Sequence, residues 1–129
     1  MIRLFTAALL ASVCLWASPA KAGMSYDNCT NFVASLPATI STQGTWCFNK
    51  DLATAITSGA AITIATNNVT LDCNDFKLGG LAAGMATRTV GVMSSSRTNI
   101  TVRNCAIRGF YKGIQLNDKA RMKHSSARA

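Results

Sequence analysis

Residues 68–73 read NVTLDC and residues 99–105 read NITVRNC, so nearly the same string returns 31 positions later. Aligning Asn68 with Asn99 sets Val69 against Ile100, Thr70 against Thr101, Leu71 against Val102 and Asp72 against Arg103. Cys73 and Asn74 then fall opposite Asn104 and Cys105. Both strings alternate apolar and polar residues, the period-two pattern of a strand with one buried face. Both also fit the N-x-[ST] glycosylation acceptor, as does Asn28-Cys29-Thr30. A sequon accounts for three residues, and the likeness runs further than that.

Each string continues through a turn into a second short strand, FKLGG (76–80) in one half and AIRGF (106–110) in the other. Each is also preceded by a strand, AITIATN (61–67) and VGVMSSSRTN (90–99). A third copy opens at KGIQL (112–116), where 91–93 match 113–115 at an offset of 22. The wider offset between the first two copies comes from GGLAAGMATRT (79–89), a stretch of small residues that reads as an inserted loop. Self-similarity at about 20–30 residues per unit predicts a solenoid. Units with room only for strands and turns predict an all-β one, in which each coil covers the open face of its neighbour.

On these residues the chain resembles the right-handed parallel β-helix, or pectin-lyase-like, superfamily, over residues 40–116. ISTQGTWCFNKDL (40–52) is similar to the entry segment of such proteins. Residues 61–80 and 99–116 are similar to successive coils. The resemblance implies two to three coils, with Val69, Leu71, Ile100 and Val102 pointing inward in columns. Asn68 and Asn99 would stand at the corners that start those strands, which makes the sequons a by-product of coil geometry. It says little about chemistry, since the superfamily spans lyases, hydrolases and adhesins.

The ends read differently. Residues 1–22, MIRLFTAALLASVCLWASPAKA, have the form of an export signal: Arg3, an apolar run of 14 residues at 4–17, and a small-x-small site at Ala20-Lys21-Ala22. The run is shorter than the roughly 20 residues that span a bilayer, so no membrane span is expected. Cleavage near Ala22 predicts a secreted or periplasmic protein. Residues 23–39 read as an N-terminal cap. In DNCTNFVASL (27–36), Cys29, Phe32, Val33 and Leu36 have helical spacing, Asp27 or Asn28 can cap, and Pro37 ends the segment, which predicts a short helix over the first coil. At the other end NDKARMKHSSARA (117–129) shows no alternation and predicts a disordered basic tail. With the third copy breaking off after Leu116, the chain reads as the N-terminal piece of a longer protein or a truncated copy.

Beyond the signal, four cysteines remain, Cys29, Cys47, Cys73 and Cys105, an even number that admits three disulfide pairings. Cys73 and Cys105 would lie one position out of register on adjacent coils, within disulfide reach, with buried free thiols the alternative. A Cys29–Cys47 bridge would hold the cap. With no C-x-x-C spacing and a single histidine, His124, a metal site is not expected.

The formal charge of +8 is concentrated at the ends, and residues 23–116 carry about +3, from seven Lys/Arg against four Asp. No clustered basic face with stacking aromatics is visible, so nucleic acid is not expected as a partner. Glutamate is absent, and Asp72 and Asp75 form the one close carboxylate pair on the coils. They could serve as acid and base or hold Ca²⁺, but turn-forming aspartates are commoner. The superfamily's lyases use Ca²⁺ and an arginine, which draws attention to Arg103 and Arg108. Stacked over Asp72, Arg103 would be a surface ion pair; Arg108, stacked over Lys77, would have no partner and is the better ligand candidate. Asn104 is expected to satisfy turn backbone groups. Trp46, Phe110 and Tyr111 could stack on sugar rings if exposed, although Trp46 suits the packing of the entry coil. The reading is a secreted β-helix module of surface or carbohydrate-binding character, without catalysis in this chain alone and without a cofactor. An acidic polysaccharide is the expected partner, and copies would associate through the open edge of the third coil. Ligand candidates are Arg108, Lys77, Asp72 and Asp75. The rival readings are the first coils of a polysaccharide lyase or glycoside hydrolase, and a purely structural surface or adhesin piece.

Overall fold

The computed structural model describes residues 26–117 and the strands Arg121–Met122 and Ser126–Arg128. The signal segment lies outside the described residues. Strands run in order β1 (Asn31–Phe32), β2 (Ala38–Ile40), β3 (Gly44–Cys47), β4 (Leu52–Ala53), β5 (Ala60–Ile64), β6 (Val69–Asp72) and β7 (Lys77–Gly79). A single 3₁₀ turn, Leu81–Ala83, precedes β8 (Val90–Ser94), β9 (Ile100–Arg103), β10 (Ala106–Arg108), β11 (Lys112–Leu116), β12 (Arg121–Met122) and β13 (Ser126–Arg128). They form three sheets, ordered β1-β3-β6-β9-β12, β13-β10-β7-β4 and β11-β8-β5-β2. Each strand pair is parallel, and from β2 onward the chain visits the three sheets in a fixed rotation. One rotation is a coil. The entry segment is therefore itself a full coil, β2-β3-β4, beneath β5-β6-β7 and β8-β9-β10, and β11-β12-β13 make a fourth rotation, which corrects the expected two to three coils.

The repeated string holds the register its pattern implies. Val69 lies beside Ile100, Thr70 beside Thr101, Leu71 beside Val102 and Asp72 beside Arg103. Val69, Leu71, Ile100 and Val102 are buried, as are Ile62, Ile64, Leu78, Val92 and Ile107 from the other sheets, with Phe48 and Phe110 at the corners. Burying each such side chain is worth about 1.5–3 kcal/mol, available only while the neighbouring coil is in place. At the corners before β6 and β9, Asn68 and Asn99 hold left-handed φ of 56° and 57°. Asparagine tolerates that region better than other residues with a Cβ. The Asn99 side-chain Nδ2 donates to Asn68 Oδ1 at 3.0 Å, so the corners are tied coil to coil.

The N-terminal cap is a strand, which corrects the expected helix. β1 pairs with β3, Asn31 beside Trp46 and Phe32 beside Cys47. Val33 is buried but Phe32 is 41 % exposed, with its ring in edge contact with Tyr26, so burial follows a period of two. Cys29 bonds to Cys47, and the segment so anchored satisfies the free backbone edge of β3. A helix would leave that edge unpaired.

The disordered-tail expectation is corrected over five residues. β12 pairs with β9 at Thr101 and Val102, and β13 pairs with all three residues of β10. Ladder pairing uses main-chain groups that every non-proline residue carries, so it proceeds here without apolar alternation. Asn117 also belongs to the fold, its N–H donating to Ser94 O at 3.0 Å.

Both expected disulfides are present, Cys29–Cys47 and Cys73–Cys105, with Cα separations of 5.8 and 4.8 Å. They fit an oxidising compartment. Among the described residues no helix is long and apolar enough to cross a membrane.

Candidate functional site

The loop between β7 and β8 is the longest interruption of the ladder, and its ends are fixed by close backbone approach. A Cβ on Gly80 would lie 2.7 Å from the Phe110 ring and 2.8 Å from Gly109 O. Gly109, at φ 80°, faces Gly80 and Leu81 from the next coil just as closely. Only glycine lets the two coils touch here. From this pinch the loop turns outward through Leu81–Ala83, leaving Leu81 64 % exposed and Met85 fully exposed.

The return is held by two buried threonines. Thr87 Oγ1 donates to Thr89 Oγ1 at 2.9 Å, and Thr89 Oγ1 donates to Ile56 O at 2.8 Å. The Arg88 N–H donates to Thr57 O at 2.9 Å. With its neighbours turned in, Arg88 is exposed. Its guanidinium sits 5.1 Å from the centroid of the Tyr111 ring. Tyr111 is fixed in turn by its N–H, which donates to Thr89 O at 2.9 Å, and remains 53 % exposed. Between loop and corner lies a hollow of about 460 Å³, lined by Leu81, Met85, Thr87, Phe110 and Tyr111 with two glycines. That is within the size range of small-ligand sites.

The electrostatics favour anions. Residues 76–117 hold six Lys/Arg and no carboxylate. Among the described residues Arg88 has no carboxylate within 4.0 Å. Arg108 and Lys112, both exposed, flank the corner residues 109–111.

The ligand candidates read from the sequence do not meet at one place. Asp72 is buried at the β6 corner, where Oδ2 accepts from Arg103 Nε at 2.9 Å and Oδ1 accepts from Asn74 N and Asn104 Nδ2 at 2.9 and 3.1 Å. Arg103 thus pairs with Asp72 as stacking implied. Asp75 is exposed in the turn at φ 64°. Among the described residues no three His, Cys, Asp or Glu side chains are grouped to hold a metal ion. Lys77 and Arg108 are not stacked, which corrects the basic column: Lys77 lies beside Ala106, and Arg108 beside Gly79. The corner after β6 has two more residues than the corner after β9, because Asn74 and Asp75 both take left-handed φ there. The offset consequently falls from 31 at β6–β9 to 29 at β7–β10. Turn-backbone satisfaction falls to Asn74, whose side-chain Nδ2 donates to Phe48 O at 3.1 Å, more than to Asn104. Phe110 is buried and Trp46 is half-buried, its Nε1 donating to Thr42 O. Tyr111 alone of the three aromatics is open to a ligand. Arg88 went unread because it lies in the loop; its one sequence signal is a cation between two threonines.

No family model, no curated protein and no solved structure matches the chain.

Proposed function

We propose that this chain is an exported, non-catalytic module of the right-handed parallel β-helix, pectin-lyase-like type, which binds acidic saccharide at the Tyr111–Arg88 corner. The observation that carries the reading is a half-exposed tyrosine held beside an arginine that has no carboxylate partner among the described residues. One ring face carries the guanidinium; the other suits the C–H face of a sugar, and the cation suits its carboxylate or sulfate. Parallel crossovers are right-handed in about 98 % of cases, which supports the hand. Export rests on the leader ending near Ala22, and the two bridges accord with a secreted or periplasmic address. The lyase or hydrolase reading has less support, because Asp72 is committed to three donors and Arg108 stands on another sheet.

Titration with polygalacturonate tests this. Binding should weaken as salt rises. Arg88→Gln should lower affinity about fivefold, equivalent to about 1 kcal/mol, and Tyr111→Ala should lower it by a similar factor. Binding unchanged in both variants would sink the site; no binding at all would favour the structural or adhesin role. No cleavage of pectate, pectin or alginate is expected with or without Ca²⁺, and turnover that disappears in Arg108→Ala would restore the enzyme reading. Copies would associate through the outer edge of β11, the last strand of its sheet among the described residues. Sedimentation that stays monomeric at rising concentration would remove that part.

A further inference from the structure

The hollow beside Tyr111 does not have the lining that a bare sugar needs. A sugar carries hydroxyls around its ring, and each one buried requires a partner. The threonine hydroxyl at this wall is already engaged, Thr87 with Thr89, which leaves the Tyr111 phenol as the other side-chain hydroxyl of the lining. The rest of the side-chain lining is Leu81, Met85 and Phe110. Two of these are held out in water by the loop, Leu81 at 64 % exposure and Met85 fully exposed. Contiguous exposed apolar side chains on a small protein mark a surface that something covers. Tyr111 adds a second constraint, since Arg88 stands 5.1 Å from its ring without a carboxylate among the described residues, in a segment free of Asp and Glu from 76 to 117. An apolar cavity lined by Tyr111, with a cation on that same ring and no carboxylate beside it among the described residues, matches an aliphatic chain that ends in an anionic head.

We propose that the hollow takes an aliphatic chain carried by the acidic sugar, so that the ligand is an acylated or alkylated acidic saccharide, an acidic glycolipid in the broad sense. This deepens the saccharide reading and rests on it: the sugar lies on Tyr111 with its anion at Arg88, and the chain runs over Phe110 beneath Leu81 and Met85.

Calorimetry on the purified chain separates the parts, using octyl glucuronide, octyl glucoside, glucuronate and octanoate, each below its micelle concentration. Octyl glucuronide should bind at least about 30-fold tighter than glucuronate, a fraction of what full burial of the chain would give. It should also outbind octyl glucoside, and the Met85 methyl resonance should shift on binding. Leu81→Asp, at an exposed position, should bring octyl glucuronide down to the affinity of glucuronate. Equal affinity for octyl glucuronide and glucuronate overturns the chain site and leaves the saccharide reading standing. Octanoate binding as tightly as octyl glucuronide overturns the saccharide reading and keeps the chain site. Octyl glucuronide binding without a shift at Met85 overturns the placement in this hollow.

Discussion

At the scale of residues, Asp72 shows how one side chain serves three partners on two coils. Its carboxylate accepts from the Asn74 N–H in its own turn and from Arg103 and Asn104 on the coil above. Hydrogen bonds to a charged group contribute about 1.5–3 kcal/mol, so Asp72→Ala should cost about 2–3 kcal/mol. Arg103 is more than a third exposed and is worth less; Arg103→Ala should cost no more than about 1 kcal/mol. Urea unfolding of both variants checks the ranking, and equal losses would show that the ion pair is all that matters. Ser94 presents the opposite case. It sits at 1 % exposure between Ile64 and Leu116 in the ladder, and its Oγ has no hydrogen-bond partner among the described residues. Leaving a buried hydroxyl unpaired costs about 1–3 kcal/mol, so Ser94→Ala should raise stability by about 1 kcal/mol. A loss in the same urea assay would reveal a partner for that hydroxyl. The Asp72–Arg103 stack was legible because both residues sit on the outward face of aligned strands. Arg88 was not, since nothing in a loop's composition says which side chain the returning chain will turn outward.

At the scale of elements, glycines separate two costs that are usually merged. Gly59 and Gly109 share nearly the same φ, 81° and 80°, yet a Cβ at Gly59 meets nothing within 4 Å whereas one at Gly109 collides with the backbone of Gly80 and Leu81. Gly59→Ala should therefore show the conformational penalty alone, about 1 kcal/mol. Gly109→Ala should lose at least about 3 kcal/mol and loosen the 80–89 loop, because overpacking adds to it. Thermal melts of the two variants decide, and equal shifts would mean that the coils separate freely at this corner. The strands β6 and β9 were readable because alternation and an Asn corner agree. Their successors slipped by two residues, since consecutive left-handed Asn74 and Asp75 lengthen one turn without any change in hydrophobic pattern. The apolar set Cys29, Phe32, Val33 and Leu36 fits a helix face equally well on spacing alone; the bridge to Cys47 and the open edge of β3 decided for a strand. β12 and β13 had no apolar pattern to read, being defined by the strands they pair with.

At the scale of the molecule, successive coils are held together by ladder pairing and packing, and the disulfides fix two of those joints. Cys29–Cys47 closes a loop of 18 residues and Cys73–Cys105 one of 32, worth about 3 and about 4 kcal/mol on the chain-entropy model. Replacing Cys29 and Cys47 with serine should release β1 and leave the rest folded, read as faster hydrogen exchange confined to the β1–β3 ladder. Replacing Cys73 and Cys105 should lower stability more and speed exchange in β6 and β9 together. Protection lost evenly across all three sheets in the first variant would show that the cap is needed for the whole stack.

The placement of Cys73–Cys105 also bears on how the molecule would respond to mechanical load. A stack of parallel coils pulled from its two ends gives way one turn at a time, each turn adding its own length of extended chain. The bridge joins the second coil to the third, so the segment it encloses is excluded from the load path. Those 32 residues would otherwise add roughly 110 Å of contour at about 3.3–3.6 Å per residue. The centre of the stack is thereby shielded, and with it both ends of the 80–89 loop, which spring from within the enclosed segment. The corner that carries Phe110 and Tyr111 lies just beyond Cys105, so under load the loop would keep its place while the other wall of the hollow peels away, and a bound ligand would be let go.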